Sequence, residues 1–185
     1  MGSCRRGIAV ALLAAALGSA GCGLWPMKSG PPPQAVAELK DAIGQPVGTA
    51  TFTEGRDGIT IVVSVRGIHE GIRAVHIHEV GLCVGPGFES AGDHFNPHNR
   101  QHGLKNPNGP HAGDLPNLIV NEMGRGTLTF TTSLITIQGR VDSIIGEDGT
   151  AVIVHPAADD EWTDPPGPHG GRFACGVVKP AGPGR

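Results

Sequence analysis

The chain has no tyrosine and only five phenylalanines and two tryptophans among 185 residues, so a packed core has to be aliphatic. Long apolar runs are missing too. The run from Ile8 to Leu17 is well short of the roughly 20 residues that a membrane-crossing helix needs. No stretch keeps apolar residues at helical spacing for long, which argues against a helical bundle. Basic residues are outnumbered, 14 Lys and Arg against 17 Asp and Glu for a net charge of -3, and they form no patch suited to nucleic acid. There is no internal repeat and no sign of a second domain.

Glycine and proline are abundant instead, with 30 and 16 copies. Four prolines fall in each of residues 23–34, 96–116 and 156–169, so the breakers mark loops rather than general disorder. Between them, alternating or β-branched runs predict strands at 37–42, 47–53, 59–65, 72–79, 118–120, 126–131, 149–155 and 172–178. Eight short strands without a long helix predict an all-β antiparallel sandwich or barrel. About 145 residues suffice to bury roughly two-thirds of the unfolded chain's surface.

The chemistry is carried by histidine. His76-x-His78 lies in a predicted strand, where positions two apart share a face and can reach one metal. His94, His102, His111 and Asp114 follow in a loop, residues 81–116, rich in Gly, Pro, Asn and Asp. His155 ends another strand and can approach the first pair across a barrel or sandwich. Imidazoles without thiolate suit copper or zinc, and the added carboxylate favours zinc over soft Cu(I). Two four-coordinate sites need eight donors while seven are in register, so either one donor is shared or one site stays open. His69, His98 and His169 fall outside the pattern and are read as surface residues.

These segments resemble the copper,zinc superoxide dismutases of the bacterial cell-envelope type. The likeness is carried by Val75-His-Ile-His-Glu-Val-Gly81, Ser90-Ala-Gly-Asp-His-Phe-Asn-Pro97, Gln101-His-Gly103, His111-Ala-Gly-Asp-Leu115, Val152-Ile-Val-His155 and Gly170-Gly-Arg-Phe-Ala-Cys-Gly-Val177. It implies an eight-stranded antiparallel Greek-key barrel or sandwich over residues 35–180, with a long metal-binding loop and a shortened second loop. It also implies copper on His76, His78, His94 and His155, and zinc on His94, His102, His111 and Asp114, with His94 shared. Arg172 is then the guanidinium beside copper, Asp159 the carboxylate joining a copper histidine to a zinc histidine, and Cys83–Cys175 a disulfide. The implied reaction is dismutation of superoxide to oxygen and hydrogen peroxide, with His94 and Arg172 as its key residues. Some envelope lipoproteins of similar sequence lack copper ligands; this chain keeps all four, although a noncatalytic copper- and zinc-binding lipoprotein is the alternative reading.

Three departures from the family pattern stand out, and none removes a ligand. Ala74 replaces a common glycine, Asp93 precedes His94 where a neutral residue is usual, and residues 155–172 make a short loop with few charges. Long-range guidance of an anionic substrate is then weak, and local attraction falls to Arg172, whose alternative is a surface ion pair.

The N-terminus reads as an export signal over residues 1–21, with Arg5 and Arg6 before the apolar run. Small residues ending at Cys22 resemble a lipobox, which implies lipidation of Cys22, a tether over residues 22–34 and an extracytoplasmic protein anchored to the membrane; cleavage and simple secretion is the alternative. Residues 181–185 form a short tail. Losing Arg5 and Arg6 takes the formal charge from -3 to -5. With Cys4 in the signal and Cys22 lipidated, Cys83 and Cys175 are the pair left in an oxidising compartment. Family members differ in how they pair, so a homodimer is left open.

Overall fold

The computed structural model describes residues 34–167 and 169–182. The expected signal segment, Cys22, the tether up to residue 33 and residues 183–185 lie outside the described residues.

The strands are β1 Gln34–Asp41, β2 Pro46–Gly55, β3 Gly58–Arg66, β4 Gly71–Arg73, β5 Val75–His78, β6 Leu118–Val120, β7 Arg125–Thr132, β8 Ala151–Val154, β9 Ala174–Val177 and β10 Lys179–Pro180. All named strand pairs are antiparallel. One sheet runs β5-β8-β9-β1-β2-β3-β7, with β10 also on β1, and a second consists of β4 and β6. The chain crosses from β3 to the far edge at β5 and again from β7 to β8, which gives the Greek-key connectivity. The short β4–β6 sheet leads straight into both edges: β4 continues into β5, and β6 turns back into β7.

Alternation explains which face is buried. On β3, Ile59, Ile61, Val63 and Val65 point inward, while Thr60 and Ser64 pair outside with Thr131 and Thr127 across β7. Phe52 is the one aromatic among the largest fully buried side chains, which are otherwise aliphatic or histidine. That composition follows from the scarcity of aromatics.

The strand expected at 72–79 is broken. At the fully buried Ala74 the chain changes partner, from β6 to β8. Its N–H goes to Ala157 O at 2.8 Å and its carbonyl accepts from His155 N at 2.9 Å. A single residue therefore ties both histidine-bearing strands to the second loop. All four residues of β5 and of β8 are buried, unlike an ordinary half-exposed antiparallel strand.

The loop after β5 supplies the reason. It docks on the free edge of β5 as an improvised strand: Ile77 N bonds Gly113 O at 2.8 Å, and Phe95 N bonds Ile77 O at 2.9 Å. Backbone bridges then set His94 opposite His78 and Asp114 opposite His76. Gly113 is required there, because a Cβ would collide with Ile77 O. A disulfide joins Cys83 in this loop to Cys175 in β9, with Cα atoms 5.7 Å apart.

Candidate metal centre

Sheet alternation and edge docking bring the seven expected donors together. His76, His78, His94 and His155 offer ligand atoms that all lie within 4.8 Å of one another. Beside them, Asp114 Oδ1 faces His94 Nδ1 at 3.1 Å, His111 Nδ1 at 3.5 Å and His102 Nε2 at 3.7 Å. The rings of His94, His102 and His111 form a triangle with centroids 5.2 to 5.5 Å apart. Donors on a tetrahedral ion with bonds of 2.0–2.1 Å stand about 3.3 Å apart, so this second group matches that size. His94 belongs to both groups; its ring centroid is 3.9 Å from that of His76 and 5.0 Å from that of His78.

Hydrogen bonds behind the rings settle which nitrogen is free. His78 Nδ1–H donates to Gly92 O at 2.9 Å and His155 Nδ1–H to Gly171 O at 2.6 Å. Both leave Nε2 as the lone-pair atom. His76 is turned the other way: Nε2–H donates to Asp159 Oδ2 at 3.0 Å and Nδ1 is free. Asp159 is itself clamped, its N–H on Asn117 Oδ1 and its carbonyl receiving Asn117 Nδ2. Asp114 Oδ2 accepts from Gly103 N at 2.8 Å and His111 N at 3.0 Å, which leaves Oδ1 to face the imidazoles.

Among the seven expected donors, five nitrogens are buried and have no partner: His76 Nδ1, His78 Nε2, His102 Nε2, His111 Nδ1 and His155 Nε2. Each such orphan costs about 1 to 3 kcal/mol. Concentrating them in one place is explicable if cations fill it, so the residues fit metal ions. Burial first, with neighbouring imidazoles, pushes His76 down to about 3, His78 to about 2 and His155 to about 3. These rings are neutral near pH 7, with their lone pairs available. Burial opposes ionisation of Asp114 and Asp159, yet contacts with His111 and His94 for the first, and with His102 and His76 for the second, hold both carboxyls well below the usual range.

A cavity of about 690 Å³ opens over His78, His94 and His155, and Arg172 lines it. The guanidinium is fixed by two backbone carbonyls, Nη1 to Phe88 O and Nη2 to Gly92 O, both at 2.6 Å. No side-chain carboxylate pairs with Arg172 among the described ion pairs, so the ion-pair alternative does not hold.

Residues 47–178 match the family model for copper/zinc superoxide dismutase (SODC). The chain belongs to the copper/zinc superoxide dismutase family. It is 40% identical over 148 residues to superoxide dismutase (Cu-Zn) 2 of Aquifex aeolicus, covering 79% of this chain and 86% of that protein. It is 39% identical over 184 residues to superoxide dismutase-like protein YojM of Bacillus subtilis, covering 90% and 93%. The crystal structure of a SOD-like protein from Bacillus subtilis superposes with a TM-score of 0.72 at 40% identity, over 77% of this chain and 96% of that one. Copper and zinc are the cofactors of the copper/zinc superoxide dismutases, and the two donor groups suit them.

The structure corrects one reading of the histidines. His69 and His98 are exposed, but His169 is buried at 7% exposure, with its ring 5.2 Å from His76 and from His155. Its Pro- and Gly-rich surroundings suggested surface, whereas the short second loop folds it inward over the centre. Asn117 was also missed; nothing in a lone Asn after Pro marks it as the clamp on Asp159. The acidic residues of the second loop serve as fasteners: Asp164 accepts from His102 N at 2.8 Å, and Glu161 pairs with Lys105 at 2.9 Å.

Proposed function

We propose that this chain dismutates superoxide, with copper held by His76, His78, His94 and His155, and zinc by His94, His102, His111 and Asp114. The observation that carries the reading is the position of His94. Its Nδ1 faces Asp114 at 3.1 Å, while its other nitrogen is left for the His76–His78–His155 group, so one imidazole would serve both donor groups.

Copper bound by His76, His78, His94 and His155 would supply a one-electron couple able to accept an electron from one superoxide and give it to a second. The protein does the rest. Arg172, held by Phe88 O and Gly92 O, draws the anion into a cavity that a net negative chain would otherwise repel it from. His94 holds a proton at Nε2 between the two half-reactions and passes it to the departing peroxide; a second proton comes from solvent, so two superoxides and two protons give one oxygen and one hydrogen peroxide. Asp159 keeps His76 in a fixed tautomer throughout, and the Thr163 carbonyl does the same for His102. The zinc group, closed by four protein donors, holds the loop and His94 in place.

The protein is proposed to act outside the cytoplasm, anchored through lipid on Cys22. The Cys83–Cys175 disulfide supports an oxidising compartment. A noncatalytic metal-binding lipoprotein would use the same ligands but has no need of Arg172 fixed in the cavity. The test is superoxide dismutation by the full chain loaded with both metals, beside His94→Ala. Activity in the first and its loss in the second are expected; a fully loaded but inactive wild type refutes the proposal.

A further inference from the structure

His169 has no role in either donor group, yet it is buried among them. We propose that His76, His102, Asp159 and His169 form a third metal position, an inner site for a zinc-class divalent ion that excludes occupancy of the other two. The proposal rests on the reading that this cluster binds metals, and extends it.

The four residues offer ligand atoms within 4.8 Å of one another, and all four are buried. Three imidazoles and one carboxylate are a zinc-type donor set. His169 is 7% exposed, and its Nε2 is buried without a hydrogen-bond partner. The ring lies 5.2 Å from His76 and 6.0 Å from His102. Its backbone is anchored beside the centre: Ala157 N–H donates to the His169 carbonyl at 3.1 Å, and the next residue, Gly170, turns at φ 76°.

A second observation concerns His102. Its Nδ1–H donates to Thr163 O at 2.9 Å, because a carbonyl can only accept. Nε2 is therefore the nitrogen left for an ion, and it faces Asp159 Oδ2 at 3.0 Å without a well-formed hydrogen bond. The same oxygen is 3.0 Å from His76 Nε2. In metal-free protein a proton on Nε2 supplies the positive charge that this carboxylate oxygen faces, and an ion in the inner position enters by displacing it. The separations approach the roughly 3.3 Å between donors on a tetrahedral zinc ion.

Exclusivity follows from shared atoms. His102 Nε2 is also the nitrogen that faces Asp114, at 3.7 Å, and one lone pair binds one ion. An ion on His76 Nε2 displaces the proton there, and His76 could then hold copper through Nδ1 only as an imidazolate. The inner position accordingly fills in copper-free protein and empties when copper takes His76.

The test uses the full chain without copper and Co(II) as a visible probe of zinc sites. In His94→Ala/His111→Ala the outer group is dismantled and the inner four donors remain. This variant should bind one Co(II) per chain with the intense visible bands of a tetrahedral site, and adding His169→Leu should weaken binding at least tenfold. Absence of binding by a folded double variant, or indifference to His169→Leu, overturns the inner site. The wild type provides a check independent of any substitution: on adding one equivalent of zinc to copper-free protein, the ¹⁵N resonance of His169 Nε2 should shift to a metal-bound position and return when diamagnetic Cu(I) is added. An unmoved resonance refutes the site. Neither readout depends on dismutase activity, so failure here and failure of the proposed function are told apart.

Discussion

His78 and Arg172 share one acceptor: the Gly92 carbonyl receives His78 Nδ1–H at 2.9 Å and Arg172 Nη2–H at 2.6 Å. The orientation of a metal-facing imidazole and the position of the cavity's fixed cation are thus set by the same atom. That atom lies two residues before His94 in the loop pinned by Cys83–Cys175.

Removing the cation should affect rate more than metal binding. Arg172→Ala is expected to lower kcat/KM about tenfold and to flatten its dependence on ionic strength, since steering by local charge is worth roughly 10 to 1,000-fold and is screened by salt. Arg172→Lys keeps the charge but lacks the fork that reaches both Phe88 O and Gly92 O, so an intermediate rate is expected. Initial rates across a salt series decide it; an unchanged slope for Arg172→Ala ends the steering role.

Asp159→Asn should act on metal affinity. The carboxylate contacts both His76 and His102, and an amide cannot accept from both through one oxygen with the same charge. Loss of such an outer partner typically weakens binding 10- to 100-fold. Competition with a chelator, read separately for copper and zinc, should show both ions weakened; an effect on only one would mean that the carboxylate does not couple the groups.

Stability of the metal-free protein should depend on pH in two opposed ways. His76, His78 and His155 have folded values of about 3, 2 and 3, against 6.5 unfolded. Between pH 6.5 and about 3 the unfolded chain therefore binds protons that the folded chain refuses, and stability falls as pH drops. His102 runs the other way. Burial disfavours its charge, but Asp159 and Asp114 raise it to about 9, so its contribution is complete below 6.5 and fades as pH rises toward 9. Calorimetry of chelated protein should show Tm highest near pH 6.5, with a steeper acid limb because three rings oppose one. A flat Tm from pH 4 to 6.5 would contradict the buried neutral imidazoles.

The disulfide closes a separation of 92 residues, and its loss should destabilise the fold by about 4 to 5 kcal/mol on the chain-entropy model. Cys83→Ser/Cys175→Ser should therefore unfold at lower guanidinium concentration than wild type. The loop carrying Phe88 O and Gly92 O should also loosen, so hydrogen exchange of residues 84–93 should speed up more than that of β2 and β3. Uniform acceleration would show that the bond stabilises only globally.

Strand alternation in residues 59–65 and the His-x-His pair on one face were legible because side-chain period and ligand chemistry are local properties. The partner switch at Ala74 was not. It depends on Ala157 and His155 arriving from a loop some 80 positions away to claim its N–H and C=O, and an unbroken apolar run carries no trace of that. His169 illustrates the same limit: a histidine between Pro and Gly reads as exposed until a short loop is found to fold over the centre.

Residue chemistry alone determined the kind of protein this is, since seven oxygen and nitrogen donors at those spacings, with few aromatics and no helical period, leave a β scaffold that gathers metal. Only the tertiary structure decided which nitrogen of each ring faces inward, that His169 joins the cluster, and that Arg172 and His78 lean on one carbonyl. Those outcomes depend on backbone groups far away in the chain, because a buried N–H or C=O must find a partner and the partner is chosen by how the loops dock on the free edge of β5.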